Sequence, residues 1–268
     1  MDSKQLKFFS DNGYLKFGRV LSDEDVEKLK TRCEEIAEGR NNSLPSEFIQ
    51  LEQAFRENDN PDSPRLDTIR KMTHLTSYDK EFEAVAKNSK IVDVIEQLLG
   101  PNIKLYGDQL MMKPRFNGTV TDWHQDSVSW PFFIPQQAVS AWVALDNATV
   151  ENGCMTVIPG SHKWGPISRE YKDDFLEIDE IPEPVSVEIP AGHCMFHHGL
   201  MMHRTGANTT ENRRRGLALH YITSETIFMG AEEDWFKIQK EKFYQDSSNS
   251  NDNYRFMHIR GEEFPGRV

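Results

Sequence analysis

The chain has 268 residues, 37% of them hydrophobic, so it is long enough to bury one sizeable core. With 31 Lys and Arg against 43 Asp and Glu, its formal net charge is −12. This acidic balance argues against nucleic acid or an anionic membrane as the main partner, because phosphate binding needs a basic surface. The three cysteines are irregularly spaced and favour neither a disulfide framework nor a CxxC zinc site.

The amino-terminal segment lacks the features of a secretory signal peptide: a basic start, an apolar run and a small-residue cleavage site. The longest stretch without charges, Ser127 to Leu145, is interrupted by Pro and Gln and is not expected to span a membrane. We therefore predict a cytoplasmic protein. The sequence patterns leave its oligomeric state undetermined.

The first hundred residues are predicted to be mostly helical. Ser22 with Asp25 three residues later forms a helix-capping pattern, and apolar residues then recur at helical spacing until Gly39. The stretch 39–65 is rich in Asn and Pro and is predicted to be a long surface loop with a helical turn at 48–55. The other predicted helices are Phe82–Ala86 and Ile91–Leu99.

Short segments rich in β-formers follow, separated by Gly, Pro and Asn, and this spacing predicts a β-sandwich or barrel. The predicted strands are Ile103–Lys113, Gln137–Asp146, Met155–Ile158, Val185–Ile189, Met195–His198 and Gly216–Thr223. With no internal repeat and no second core, we predict one domain over 1–268. Its expected parts are a helical segment 1–100, a β core 101–225 and a C-terminal extension 226–268 with a polar loop at 247–253.

The motif with the clearest chemical implication is Trp123-His124-Gln125-Asp126. Because residues i and i+2 share one face of a strand, His124 and Asp126 can direct an imidazole and a carboxylate to one point. A second His-rich segment, 197–203, follows further along the chain. Two histidines and one carboxylate on one face of a metal leave three open positions, which is the donor set of non-heme Fe(II) oxygenases. An isolated H-x-D pattern, however, is more often a surface turn.

Further segments, in order from residue 9 to about residue 221, strengthen the metal hypothesis because they match one family. These are Phe9-x-x-x-Gly13-Tyr14-Leu15, Ala141–Leu145, Glu151–Cys154, Ile158–His162, and His203-Arg204-Thr205-Gly206-Ala207-Asn208 followed by Arg214-Arg215-Gly216. With the H-x-D motif included, the chain resembles the phytanoyl-CoA dioxygenase-like family of Fe(II)/2-oxoglutarate oxygenases.

This resemblance implies a mainly β fold with flanking helices, built on a double-stranded β-helix (a jelly-roll, cupin-like core). It implies Fe(II), 2-oxoglutarate and O2, with His124, Asp126 and His203 as the metal ligands and catalytic residues. The implied partner is a small-molecule substrate, which is hydroxylated at an unactivated C–H bond with release of succinate and CO2. In related halogenases a small residue replaces the carboxylate, so the presence of Asp126 predicts hydroxylation.

The resemblance also implies that Arg214 binds the distal carboxylate of 2-oxoglutarate. A planar guanidinium suits this role, because it recognises a carboxylate through two hydrogen bonds and stays charged when buried. Arg214 shares a strand face with the small residues Gly216 and Ala218, whereas Arg213 and Arg215 share the opposite face. If the small residues face the interior, Arg214 points inward.

Three more residues are implied in co-substrate binding. Trp142 lies among small residues of one strand face, where it would form either a wall of the 2-oxoglutarate site or an ordinary part of the core. Gln109 and Thr205 match family positions that touch the co-substrate. Their alternatives are a polar strand residue and a turn hydroxyl.

The remaining histidines receive weaker assignments. His197 and His198 adjoin the His203 end of their segment, and one of them is a candidate contact to substrate or to a metal ligand, without a sequence reason to choose. His162, His220 and the other histidines are predicted to be structural. The Ser129–Phe133 stretch either lines the substrate entrance or forms a buried loop edge.

Two other classes of protein fit part of the pattern. A metal-dependent hydrolase or isomerase on the same fold would use the same ligands, but it leaves Arg214 unexplained. A catalytically inactive binding protein would be expected to have lost a ligand or this arginine, and all four are present. The acidic charge and the lack of a recognisable CoA-binding element favour a small-to-medium metabolite over an acyl-CoA, and the substrate is not defined further.

Overall fold

The computed structural model describes residues 1–56, 63–116, 118–130, 133–135, 137–167, 180–228, 256–264 and 267. This part of the chain contains five α-helices and fourteen strands. The helices are α1 (Ser3–Asn12), α2 (Asp23–Ala37), α3 (Leu75–Tyr78), α4 (Lys80–Ala86) and α5 (Ser89–Leu99). The strands are β1 (Tyr14–Arg19), β2 (Ile49–Leu51), β3 (Ile69–Thr73), β4 (Ile103–Lys113), β5 (Thr121–His124), β6 (Phe133–Ile134), β7 (Ala138–Ala144), β8 (Met155–Val157), β9 (Val185–Val187), β10 (His193–His198), β11 (His203–Thr205), β12 (Arg214–Thr223), β13 (Ile227–Phe228) and β14 (Met257–Arg260).

The helices begin where the sequence contains caps. Ser22 and Asp25 form the reciprocal capping box predicted for α2, which satisfies two backbone N–H groups that the first turn leaves free. Asn88 caps α5, and the apolar face of this helix, including Ile91 and Ile95, is buried. The three helices predicted from the sequence are thus confirmed. No helix in the described ranges is long and apolar enough to span a membrane.

Two antiparallel sheets form the β core. The larger sheet has the order β1-β10-β7-β12-β4-β3-β2, with β14 also paired to β4, and the smaller sheet has the order β5-β11-β8-β9. Side chains of both sheets meet in one buried cluster, in which Trp142 and Ala218 of the larger sheet pack with Met155 and Val157 of the smaller one. This arrangement of facing antiparallel sheets is the predicted jelly roll.

The two faces of the larger sheet have different partners because side chains alternate along each strand. On the outer face, Val143 and Leu217 share a core with Leu29 of α2 and Ile95 of α5. On the inner face, small and polar residues face the smaller sheet. The helices therefore cover only the outer face, and the space between the two sheets is available for a ligand-binding site.

The amino-terminal region contributes more to the sheet than predicted. β1 pairs with β10, and β3 pairs with β4, although the sequence indicated only helices and loops there. These strands are short and irregular, with a register shift between Lys16 and Gly18, so their stability comes from pairing with distant strands. The predicted loop after residue 39 contains two 3-10 turns, Ser46–Phe48 and Gln53–Phe55, on either side of β2. The predicted polar loop at 247–253 lies outside the described residues.

Candidate metal centre

Two histidines face each other across a pair of short strands. His124 of β5 is the register partner of His203 of β11, and their ring centroids are 4.1 Å apart. The Nδ1 atoms lie 2.8 Å from the carbonyl oxygen of Asp122 and 3.0 Å from that of Met201, respectively. Because a carbonyl only accepts, each Nδ1 carries the proton. The Nε2 atoms are directed at Asp126 Oδ1, at 3.6 Å and 3.8 Å.

Asp126, at the start of the 3-10 helix Asp126–Ser129, completes a set of three candidate ligands. One ligand atom from each of His124, Asp126 and His203 lies within 4.8 Å of the others. Burial lowers the pKa of His203 to about 3, so its imidazole is neutral at pH 7. Burial alone would raise the pKa of Asp126, but the electrostatic effect of the neighbouring histidines, His203 first, holds it well below the usual range. Neutral imidazoles and an ionised carboxylate are what a divalent metal binds.

Arg214 points from β12 into the interior of the fold. It is 2% exposed, and its Nη2 donates to the carbonyl oxygen of Gly153 at 3.1 Å, while its Nε has no hydrogen-bond partner. No carboxylate of the described residues lies within ion-pair distance of this guanidinium. Burial lowers the pKa of Arg214 to about 10, so the group remains charged at pH 7. A buried cation without a counter-ion is costly, and the arrangement therefore fits an anionic ligand.

The neighbouring arginines lie on the outer face of the sheet, as strand parity predicted. Arg213 Nη2 donates to Asp67 Oδ2 at 2.8 Å. Arg215 donates through Nε and Nη2 to the two carboxylate oxygens of Asp146, at 2.7 Å and 3.0 Å. Both are thus neutralised by acidic partners. Among the three consecutive arginines, only Arg214 lacks a carboxylate partner within the described part of the chain.

Trp142 and Gln109 lie on the inner face of the larger sheet, as Arg214 does. Ala218 pairs in register with Trp142 on one side and with Gln109 on the other, so the three side chains form a row across β7, β12 and β4. The indole of Trp142 lies over Gly216, and the Arg214 guanidinium carbon is 5.5 Å from the ring centroid. The small residues make room for this ring, which forms a wall next to the arginine.

We expect Gly216→Ala to disturb this wall. A Cβ at residue 216 would lie 1.9 Å from Cζ2 of Trp142, so the indole must move. Overpacking of this kind costs about 1–3 kcal/mol of stability. Chemical denaturation will measure the loss. Gly107→Ala in β4 is the matched control, because a Cβ there meets nothing within 4 Å. Equal stability of both variants would contradict the packing described.

Thr205 lies on the same smaller-sheet face as His203, because the two residues are separated by one position on β11. Its register partner is Met155, a member of the cluster between the sheets. Its side chain is half-buried and belongs to the interior side of the smaller sheet. Thr205 and Gln109 are therefore placed on opposite sheets that face one another.

Sequence reasoning missed a buried lysine beside Arg214. Lys113 of β4 is the register partner of Arg214, and its Nζ donates to the carbonyl oxygen of Thr119. Burial and the neighbouring guanidinium lower the pKa of Lys113 to about 7. At pH 7 this amine is therefore protonated in only part of the molecules, and an anion bound beside Arg214 would favour its charged form. Its inward direction could have been predicted from the sequence, because Lys113 is four residues from Gln109 on β4 and therefore shares its strand face.

Three further residues near Asp126 were also missed or left open. His197 Nε2 lies 3.2 Å from Asp126 Oδ2, and Ser140 Oγ lies 3.4 Å from the same oxygen. His220, assigned a structural role from the sequence, has its Nδ1 2.7 Å from Ser140 Oγ. His198 is different: its Nδ1 accepts from the backbone N–H of Leu200 at 3.0 Å and so stabilises a turn. His197, Ser140 and His220 each face the inner side of their own strand, and this could be predicted from the sequence. That they are neighbours follows only from the order of the strands in the sheet.

Aromatic side chains border the site beyond His220. The ring of Trp130 is 4.8 Å from that of His220, and Tyr106 packs on Trp130 at 4.7 Å. Trp130 belongs to the predicted entrance segment, of which Pro131 and Phe132 lie outside the described residues. Arg214 and His220 are six residues apart on β12, or about 20 Å along an extended strand. The inner face thus has a cationic end and an aromatic end.

A jelly roll in which two imidazoles and one carboxylate converge between the sheets defines the class of non-heme iron oxygenases. The chain belongs to the phytanoyl-CoA dioxygenase (PhyH) family, whose sequence model matches residues 9–216. The predicted family and the predicted enzyme class, an Fe(II)/2-oxoglutarate-dependent dioxygenase, are confirmed. This class requires Fe(II), 2-oxoglutarate and O2. Membership of this family favours an oxygenase over the two alternatives considered from the sequence, a hydrolase or isomerase and an inactive binding protein.

Individual relatives agree with the family assignment. The peroxisomal phytanoyl-CoA dioxygenase of Rattus norvegicus is 27% identical over 240 residues, which cover 84% of this chain and 70% of that protein. A probable alpha-ketoglutarate-dependent hypophosphite dioxygenase of Stutzerimonas stutzeri is 27% identical over 239 residues, covering 84% and 80%. EctD from S. alaskensis, solved with 2-oxoglutarate and 5-hydroxyectoine, has a TM-score of 0.73 at 22% identity, covering 99% of this chain and 88% of that chain. The likeness to EctD shows a shared fold.

Proposed function

We propose that this dioxygenase hydroxylates a C–H bond of a small-to-medium metabolite, with Fe(II) bound by His124, Asp126 and His203. The observation that carries this assignment is the convergence of two imidazole Nε2 atoms on Asp126 Oδ1, at 3.6 Å and 3.8 Å. The donor set fits iron(II), because borderline nitrogen and hard oxygen ligands on one side leave positions open on the other. The backbone carbonyls that accept from each Nδ1 keep both rings in the orientation that ligation needs.

The co-substrate 2-oxoglutarate is assigned to the cationic end of the inner face. The unpartnered Nε of Arg214 supports this placement, because a distal carboxylate would supply the missing acceptor and the missing counter-charge. Trp142, whose ring centroid is 5.5 Å from the Arg214 guanidinium carbon, supports this placement as a wall of the site, and Gln109 and Thr205 are further candidate contacts on the facing sheets. Lys113, the register partner of Arg214, adds to the attraction for a dianion when its amine is protonated.

Bound together, iron and 2-oxoglutarate supply the oxidising chemistry, in which dioxygen is consumed and succinate and CO2 are released. The protein's own residues determine what is oxidised. The side chains of His124 and Asp126 are partly exposed whereas His203 is buried, so a substrate can approach the proposed metal position from one side and be oriented with its C–H bond near the metal. The carboxylate of Asp126 keeps one ligand position occupied by the protein, which supports hydroxylation as the outcome rather than halogenation.

The substrate is assigned to the aromatic end, beyond His220. Trp130 and Tyr106 are both half-buried and offer flat apolar surface to an organic molecule. Overall identity does not select the substrate, because relatives of equal identity, 27%, are named for phytanoyl-CoA and for hypophosphite. The net charge of −12 gives no special support for an anionic thioester. A small-to-medium metabolite with an apolar portion is the substrate class that these residues favour.

An anaerobic titration tests the proposed function. Fe(II) is added to the purified protein, followed by 2-oxoglutarate, and the visible metal-to-ligand charge-transfer band of the chelated co-substrate is recorded. We expect the band to appear and to saturate. Succinate release in air then identifies substrates among candidate metabolites. Iron binding without the band would instead favour hydrolase or isomerase chemistry at this metal site.

A further inference from the structure

The two carboxylate oxygens of Asp126 have different surroundings. Oδ1 faces the Nε2 atoms of His124 and His203. Oδ2 faces the opposite side, where His197 Nε2 lies at 3.2 Å and Ser140 Oγ at 3.4 Å. One oxygen is thus directed toward the candidate metal position, and the other toward hydrogen-bond donors on the larger sheet.

The two donors to Oδ2 lie in one row with His220 across the larger sheet. His220 of β12 is the register partner of Ser140 of β7, and Ser140 is in turn the register partner of His197 of β10. These three strands are adjacent in the larger sheet, and all three side chains are buried. Because neighbours in register on one sheet face are held by the backbone hydrogen bonds between them, the row has little freedom to move.

The hydrogen-bond directions follow from the chemistry of the acceptor. An ionised carboxylate only accepts, so His197 donates through Nε2 and Ser140 donates through its hydroxyl. Ser140 can donate to Asp126 only if it accepts from His220, whose Nδ1 lies 2.7 Å away. The other ring nitrogens, Nδ1 of His197 and Nε2 of His220, have no partner in the described part of the chain. That fits neutral rings in which these nitrogens carry no proton.

We propose that His197 and the Ser140–His220 pair are positioning residues that restrain Oδ2, so that Asp126 ligates the metal through Oδ1 alone. This inference rests on the proposed function. A carboxylate that ligated through both oxygens would occupy a coordination position that 2-oxoglutarate or O2 requires. The row therefore preserves the open side of the metal site, while the affinity for the metal itself depends on the three ligands.

The test separates metal affinity from co-substrate affinity. His197→Phe removes the donor but keeps a planar ring, and His197→Gln retains an N–H donor. Fe(II) affinity and then 2-oxoglutarate affinity are measured anaerobically, the latter from the charge-transfer band. We expect His197→Phe to bind Fe(II) as tightly as the wild type, or more tightly. Its 2-oxoglutarate affinity should fall by roughly ten- to a hundred-fold, the effect expected from losing one hydrogen bond to a charged group. His197→Gln should recover most of that loss.

Ser140→Ala removes only a hydroxyl, should show the same split with a smaller change, and provides the test if His197→Phe does not fold. His193→Gln, on the same strand but with its Nδ1 against the carbonyl of Ala191, should behave like the wild type. Parallel loss of Fe(II) and 2-oxoglutarate affinity in the His197 and Ser140 variants would overturn the inference, because a merely structural role predicts that result. Unchanged 2-oxoglutarate affinity in both would overturn it too. Absence of the band in the wild type would instead reject the proposed function.

Discussion

Arg214→Ala is expected to weaken 2-oxoglutarate binding by at least about thirtyfold, the lower end for truncating one partner of a buried charge pair. Fe(II) binding should be unchanged, because the metal ligands lie toward the other end of β12. The physical reason is that Arg214 is buried with an unpartnered Nε and without a carboxylate partner among the described residues. The measurement is the anaerobic titration followed by the charge-transfer band.

Arg213→Ala is the matched control for this experiment. It removes the same charge from the adjacent position, but its guanidinium pairs with Asp67 on the outer face of the sheet. Its effect on 2-oxoglutarate affinity should be within about a factor of two, since an outward ion pair contributes little to a distant site. Wild-type affinity in Arg214→Ala, or an equal loss in both variants, would refute the assignment of Arg214.

Asp126→Ala is expected to reduce Fe(II) affinity by at least about a hundredfold and succinate release by at least about a thousandfold. The variant loses the only charged ligand, and two neutral imidazoles alone hold a divalent cation weakly. Fe(II) titration and a succinate assay with an active substrate measure the two effects. Thermal unfolding of the metal-free variant verifies that the fold is retained.

Asp122→Ala is the control for the carboxylate. Its side chain is exposed, and its backbone carbonyl, which orients the His124 ring, is retained in the variant. We expect wild-type metal binding and turnover. If Asp126→Ala kept full turnover, the metal assignment would fail, and if Asp122→Ala lost it, the loss could no longer be ascribed to one ligand.

Local patterns predicted much of the core. The bounds of β4 match the alternating segment Ile103–Lys113, and β12 begins two residues earlier than predicted, which brings Arg214 into the strand. Parity then predicted the inward direction of Arg214 correctly, because a period of two depends only on local backbone geometry. The same reasoning placed Trp142 beside small residues on the inner face.

Contacts between distant strands were beyond local reasoning. His197 and Ser140 are neighbours because β10 pairs with β7, and His220 joins them because β7 also pairs with β12. No spacing along the chain encodes this order, since pairing partners are chosen by the whole fold. For the same reason β1 and β3 were missed: each is a weak strand by itself and is stabilised by a partner far away in sequence.

The ion pairs of Arg213 and Arg215 on the outer side of the sheet also favour one pairing register of β12 over registers shifted by one residue. A slip of one position would turn every side chain of β12 to the other face. It would drive Arg213 and Arg215 into the interior and leave Asp67 and Asp146 without their guanidinium partners. Three consecutive arginines are equivalent in sequence. The ion pairs with Asp67 and Asp146, however, form only in the alignment that turns Arg214 inward. The acidic groups on the outer side of the sheet thereby fix Arg214 as the arginine that faces the interior.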